Sequence, residues 1–421
     1  LHRMPMPSVV QQLIWIRGLR SIGQGAMVVD LTLYLKDLHW SGAAIGGVTS
    51  GAGLVGAVLI LVVGILSDRV GRKPFLLVYE VLTSLSALAA SFTSFGLVLV
   101  LAIVLAGFGR GQSGAAGPFS PAEQALLARY VVRHDRGRVF SLNNAVGFVG
   151  MAIGAMLGGL PAWLHKATPL VAYRPVFLTV AALSLVCFII ITRIPETQRE
   201  NAQRQEGSDP ALEQSAQKEE KTIRRQENRS MTMLALVNVL NGLAVGLTGP
   251  MMAYWFSLRY GASTGEIGMT IAISFLLTGL FSVVSGSMAA RVGMVTSVTW
   301  MRVFGSVFML TLPFMPNFAW ASVLFILRNA VNRGTQGNRT ALSASLTRDK
   351  RRGLATSINA LSMRLPASIG PTVSGYLFDA DLLSLPLILT AVLQLVNAGI
   401  YQRVFGRYDR QGQDSVTSDG T

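Results

Sequence analysis

The chain is short of charge, of cysteine and of histidine. Only 14% of its 421 residues are Asp, Glu, Lys or Arg, 51% are hydrophobic, and the mean hydropathy is +0.48. A soluble chain of this length needs far more charge to cover its surface, so a large soluble helical protein is excluded. The one cysteine, Cys187, falls inside an apolar run, so no intrachain disulfide can form. The four histidines, His2, His39, His134 and His165, lie near run ends or termini without paired metal-ligand spacing. That argues against a metal site and against a membrane enzyme. No Walker-type phosphate loop occurs, which leaves an ion gradient as the energy source for any transport. No cofactor is expected.

Apolar sequence is what the chain has in excess. About 20 apolar residues suffice for one helical crossing of a bilayer. Twelve such runs are read, at roughly 9–35, 44–66, 74–94, 96–128, 139–162, 172–194, 231–257, 266–289, 295–315, 319–346, 354–378 and 383–404. They predict an all-α integral membrane protein with 12 transmembrane helices. The first run is too long for a signal peptide and lacks a small-residue cleavage site, so it is expected to stay in the mature protein.

The net charge of +15 is a topology signal rather than a nucleic-acid one. Arg69, Arg72 and Lys73 lie between spans two and three. Arg129, Arg133, Arg136 and Arg138 follow span four, and Arg348, Lys350, Arg351 and Arg352 follow span ten. The opposite connections hold little beyond Lys36, Lys166, Arg174 and Arg259. The positive-inside rule then puts both termini in the cytoplasm of a multi-pass protein of the plasma (inner) membrane. The lipid bilayer is the expected partner, with no nucleic acid, and a monomer is expected.

Hydrophobicity collapses between Ile194 and Arg229, where acids and bases nearly balance. The chain is therefore divided into a six-helix lobe at 1–194, a solvated cytoplasmic linker at 195–229, a second six-helix lobe at 230–405 and a cytoplasmic tail at 406–421. The halves resemble each other. Gly64 matches Gly286 at an offset of 222, Arg110 matches Arg328 at 218, and Arg136-Gly137 matches Arg352-Gly353 at 216. In the first spans, Asp30 and Tyr34 fall opposite Pro250 and Tyr254. Two pseudo-symmetric six-helix bundles place a substrate site between them, near mid-bilayer, where rocking exposes it to either side.

The run Gly64-Ile65-Leu66-Ser67-Asp68-Arg69-Val70-Gly71-Arg72-Lys73, with its worn copy Gly286 to Gly293, resembles the signature loop between spans two and three of the major facilitator superfamily. Arg110-Gly111-Gln112-Ser113-Gly114 is similar to that family's span-four arginine motif. Gly150 to Gly159 resembles the span-five motif of its proton-driven efflux antiporters, except that Ala155 stands where the family has proline; the second lobe does carry Gly370-Pro371. The resemblance covers nearly the whole chain. It implies a 12-span transporter like those of the drug/proton antiporter group, with span one lining the cavity.

Physical roles follow for the named residues. Asp68 can face a helix N-terminus in the other lobe, near the start of span eleven. Gly64, Asp68, Arg69, Gly71, Arg72 and Lys73 then form a conformational latch, with the basic residues bracing Asp68 or meeting headgroups. Gly150, Gly154 and Gly158 recur every four residues and fall on one helix face; with Gly159, Gly370 and Pro371 they are expected to form a close-packed seam between the lobes. Charge inside a span is costly and marks function. Asp30 is the preferred proton-coupling carboxylate and Glu123 the second candidate, with Arg110 as charge relay to Asp30; Glu80 is expected to anchor span three. Substrate-cavity candidates are Tyr34, Asn143, Asn238, Asn241, Tyr254, Asn332, Arg333, Asn359 and Arg364. The sequence thus predicts a secondary active transporter exporting small organic or amphipathic molecules against a proton gradient. The alternative is a symporter or exchanger of anionic metabolites with an arginine-lined cavity.

Overall fold

A computed structural model of the chain describes residues 7–108, 123, 126, 127, 130, 131, 136–164, 167–195, 210–335, 339 and 352–418. All regular structure among them is helical. The first bundle holds α1 (Ser8–Asp37), α2 (Gly42–Val70), α3 (Lys73–Phe92), α4 (Gly96–Ala106), α5 (Arg136–Leu157) and α6 (Pro169–Arg193). The second holds α7 (Pro210–Thr248), α8 (Met252–Tyr260), α9 (Thr264–Val292), α10 (Met294–Thr311), α11 (Phe318–Gly334), α12 (Arg352–Ala367), α13 (Gly370–Asp379) and α14 (Leu385–Ser418). Spans seven and eleven are each broken in two. The first break falls at Gly249-Pro250-Met251, the second at Ser368-Ile369 just after Pro366, because proline removes a backbone donor and clashes with the preceding turn. Six spans therefore stand on each side.

Eight of these helices are long and apolar enough to cross a membrane by themselves. The helix α1 is not among them, since Arg17, Arg20, Asp30, Lys36 and Asp37 interrupt it. Its membrane segment is instead buried by protein on most sides, from Val10 and Leu13 to Tyr34 and Leu35. Backbone groups satisfied within the helix and charges turned into the bundle make that viable in lipid. The turns after α2 and α9 repeat one device: Gly71 (φ +104°) and Gly293 (φ +96°) take a left-handed conformation that only glycine adopts freely. They lie 222 residues apart, the spacing of the sequence repeat.

Glycine also sets the closest helix contacts. A methyl added at Gly25 would lie 2.1 Å from the Met151 carbonyl oxygen, and one at Gly154 would lie 1.9 Å from that of Ile22. Such contacts bring the α1 and α5 backbones together, as small residues do in lipid. In the second bundle, Gly242 and Gly246 meet the Met363 and Ala367 carbonyl oxygens in the same way, joining α7 to α12. Gly25 and Gly246 are thus equivalent, at an offset of 221. This moves the first-span register by one residue: Met251, not Pro250, faces Asp30, and Trp255, not Tyr254, faces Tyr34.

The expected inter-lobe seam is corrected in part. Gly150, Gly154 and Gly158 pack on Gly18, Ile22 and Val29 of α1, and Gly370 packs on Gly246, all within one bundle. Gly159 and Pro371 do cross: Gly159 meets Gly265, and the Pro371 carbonyl oxygen meets Gly46. Glycine spacing reports a close neighbour, not which helix supplies it.

Among the described residues, the bundles share a core on one side only. On the side away from the linker, one apolar cluster runs from Met27, Tyr34 and Phe177 to Trp255, Phe256 and Phe275. On the linker side the clusters are separate, around Leu13, Tyr79 and Leu127 in one bundle and Val237, Val298 and Tyr401 in the other. Gly154→Ala is expected to cost at least about 1–3 kcal/mol by overpacking backbone against backbone. Gly47→Ala, with nothing within 4 Å, should stay within about 0.5 kcal/mol of the parent. Thermal unfolding of the purified chain decides this, and equal midpoints for the two would show the α1–α5 seam to be loose.

Candidate functional site

The far-side closure is built from α2 against α12 and α13, and α5 against α9. Gly46 lies under the Pro371 carbonyl, and Gly268 lies under that of Ala155. The Thr372 backbone N–H donates to Ser50 Oγ at 3.0 Å, and Lys36 Nζ donates to Ser257 Oγ at 2.5 Å. At the outermost point, Asp379 at the end of α13 accepts the backbone N–H groups of Gly42 (2.6 Å) and Ala43 (2.8 Å) at the start of α2. A carboxylate on a helix N-terminus is favoured by the helix dipole and by its free donors. The sequence reading missed this residue. Its signal was an acid closing span eleven, as Asp68 closes span two.

The signature-loop latch is described only in part. The side chains of Gly64, Asp68 and Arg69 lie outside the described residues. Gly71 makes the turn, and Lys73 has a different role from the one expected: its Nζ donates to the Thr192 and Ile194 carbonyls, 2.9 and 2.7 Å away. It therefore caps the end of α6, where a cation complements the dipole.

Asp30 is fully buried, and neither carboxyl oxygen has a hydrogen-bond partner among the described residues. Helical spacing puts Gly23, Met27, Asp30 and Tyr34 on one face of α1, and Gly23 and Tyr34 pack on Val180 and Phe177 of α6. The Tyr34 ring also lies 5.1 Å from that of Tyr173, whose hydroxyl donates to Asp37 Oδ2 at 2.9 Å. An ionised carboxylate without a partner is expensive in such surroundings, which accommodate the neutral acid. Arg110, its expected relay, lies outside the described residues.

Further along α1, Arg20 binds two acids. Its Nε donates to Glu80 Oε1 at 2.7 Å, its Nη1 pairs with Glu123 Oε2, and its guanidinium stacks 5.4 Å from the centre of the Tyr79 ring. Arg17, one turn before Arg20 on the same helix, fits over Gly147, where a methyl would lie 2.6 Å from its Nε. Glu80 thus anchors α3 to α1, as expected. Glu123, expected in proton coupling, is a partner of the same arginine. Between this cluster and Asp30 a small cavity lies among α1, α3, α4 and α6, lined by Arg20, Gln24, Met27, Thr83, Phe108 and Ser184. It has room for about two water molecules.

The second-bundle candidates divide. Asn238 donates to Asn359 Oδ1 (2.7 Å) and Ser362 Oγ (3.3 Å), and Asn241 to Met363 Sδ (3.3 Å), so these fasten α7 to α12. Asn332 donates to Gln394 Oε1 at 3.2 Å, tying α11 to α14. Arg333 stacks 5.6 Å from the centre of the Phe275 ring, and Tyr254 lies 6.0 Å from Phe378. Arg364 is half-buried on α12, and Asn143 is buried on α5. Among the described residues, Arg302, Arg328, Arg333, Arg339 and Arg364 have no ion-pair partner. No cluster of three or more His, Cys, Asp or Glu fit to hold a metal occurs among the described residues either.

Two joined six-span bundles define a multi-pass membrane protein. The Major Facilitator Superfamily profile matches residues 13–230 and 234–416, and the chain belongs to that family. It is 24% identical to the uncharacterized membrane protein YJR124C of Saccharomyces cerevisiae, over 91% of this chain and 92% of that one. It is 23% identical to the quinolone resistance protein NorA of Staphylococcus aureus, over 86% and 87%. A solved D-xylose-proton symporter has the same fold, with a TM-score of 0.73 at 16% identity, covering 93% of this chain and 96% of that one. The chain is a transporter and not an enzyme.

Two outcomes follow from the geometry. Asp379→Ala removes a carboxylate from an exposed helix start, worth about 0.3–1 kcal/mol. The population open on the far side should rise by about two- to five-fold, read as distances between spin labels on the outer ends of α2 and α13. Unchanged distances would show that Asp379 holds nothing. Arg20→Leu leaves two buried carboxyls facing each other and is expected to destabilise the first bundle by about 3–5 kcal/mol, measured by unfolding in detergent.

Proposed function

We propose that this chain is a proton-coupled exporter of small organic or amphipathic molecules, working by alternating access between its two bundles. The observation that carries the reading is Asp30, a fully buried carboxyl with no partner on either oxygen among the described residues. While Asp30 is dry with the far side closed, the neutral acid is favoured and carries the proton inward. Water reaching it through the small cavity on the linker side of it then favours the carboxylate and takes the proton away toward the linker side. Opening the far side exposes Asp30 to the more acidic medium there, from which it reloads. Substrate leaves while the proton enters, each carried across by rocking of the bundles. The likeness to NorA, whose name records quinolone resistance, supports export.

In this reading the linker side is cytoplasmic, because the basic connections lie there. Both termini are then inside, the protein sits as a monomer in the plasma (inner) membrane, and the linker at 195–229 tethers the lobes 1–194 and 230–405. Asp68 closes the cytoplasmic side as Asp379 closes the far side. Arg333, Arg364 and Tyr254 contribute to the second-lobe wall of the substrate path.

A second reading has its own support. The unpaired arginines of the second bundle suit a carboxylate or phosphate on the substrate, and a symporter shares the fold. Proteoliposomes holding a pH-sensitive dye under an imposed pH gradient distinguish the two. Export predicts proton movement triggered by lipophilic cations or neutral drugs and abolished by Asp30→Asn. Proton movement with organic anions alone, unchanged in Asp30→Asn but lost in Arg333→Gln, would overturn export in favour of an anion carrier.

A further inference from the structure

The two bundles handle buried charge in opposite ways at equivalent positions. Glu80 lies nine residues after the left-handed Gly71, and Arg302 lies nine residues after its counterpart Gly293. Glu123 lies thirteen residues before Arg136-Gly137, and Arg339 lies thirteen before Arg352-Gly353. Arg20 corresponds to Asn241 in the register set by Gly25 and Gly246. The first bundle therefore holds a cation between two acids. The second has a cation at each acid position and a neutral amide at the cation position.

Nothing described within the second bundle supplies the missing negative charge. Arg302 is 3% exposed; its Nη1 donates to Asn397 Oδ1, and its guanidinium stacks 5.4 Å from the centre of the Tyr401 ring. Asn397 in turn donates to the Val237 carbonyl at 2.5 Å, which fixes the acceptor that Arg302 uses. Among the described residues its Nε has no acceptor, and neither has the Nε of Arg339. By the repeat, the two guanidinium groups stand at the positions from which Glu80 and Glu123 both reach Arg20 in the first bundle. A buried guanidinium and a half-buried one, each with an idle donor, favour a bound anion between them. A helical side chain leans toward its helix N-terminus, so Arg302 reaches toward the linker side, where α10 begins. Arg339 lies on that side too, five residues past the end of α11.

We propose that the second bundle binds a phosphate-type anion between Arg302 and Arg339, beside Tyr401, in the place that Glu80 and Glu123 fill around Arg20 in the first bundle. Two guanidinium forks match the tetrahedral oxygens of phosphate better than a single halide. The anion comes from a lipid headgroup or from free phosphate in solution. The site is separate from the wall formed by Arg333, whose guanidinium lies over Phe275 on α9, and it does not depend on the direction of transport.

The test uses the full chain and thermal unfolding. Inorganic phosphate is titrated against chloride at constant ionic strength, and nanodiscs containing phosphatidylglycerol are compared with phosphatidylcholine alone. A saturable rise of at least about 2 °C is expected, with phosphate if the anion is free and with phosphatidylglycerol alone if it is a headgroup. The rise should be lost in Arg302→Gln and in Arg339→Gln and kept in Arg333→Gln. Arg339 is only half-buried, so Arg339→Gln alone decides the matter if Arg302→Gln does not fold. No rise in either medium, or a rise that survives in Arg339→Gln, overturns the proposal.

Discussion

Direct contact between helix backbones is the constraint on which the rest of this molecule depends. In lipid there is no water to expel from between two helices, so association rests on close packing. Here α1 meets α5 and α7 meets α12 at glycines whose Cα atoms sit against carbonyl oxygens. These two seams fix each first span within its bundle. That position in turn permits the charged face of α1 to be covered by α3 and α6. A side chain at Gly25 or Gly154 would force the helices apart, and the space that receives Arg20 and Asp30 would change shape with them.

Much of the fold was legible because span length and apolarity are local properties. The helices α2, α3 and α6 follow directly from their composition. Span one was legible only through its length, since its charges lower its hydropathy below that of a self-sufficient span. The pairing of charges was less accessible. Arg20, Glu80 and Glu123 stand out as intramembrane charges, yet nothing local tells that one arginine takes both acids. Asp379 was invisible for a related reason: the N–H groups that it binds lie more than three hundred residues earlier in the chain. The glycine repeat at 150, 154 and 158 was read correctly as a close contact and assigned to the wrong partner, because periodicity specifies a face and not what covers it.

The distribution of charge between the bundles suggests a division of labour. In the first, cations and acids meet, leaving Asp30 without a partner among the described residues. In the second, guanidinium groups are held by side-chain amides and rings, neither of which cancels their charge. A duplicated fold that began symmetric has kept its packing and its glycine turns while exchanging the polarity of its interior. Packing is shared by both halves of the transport cycle, whereas a proton and a solute require different chemistry.

The helix α7 has a mechanical consequence. It is continuous from Pro210 to Thr248, 39 residues or about 58 Å, and its first 17 residues, Pro210–Gln226, carry seven charges and no apolar run able to span a bilayer. About 25 Å of it is therefore a polar helical spoke ahead of the apolar span. Tilting the second bundle by about 20° would swing the tip of that spoke through roughly 9 Å, an amplitude set by its length. The connection between the lobes thus acts as a pointer as well as a tether, converting a small rotation inside the membrane into a large excursion in water.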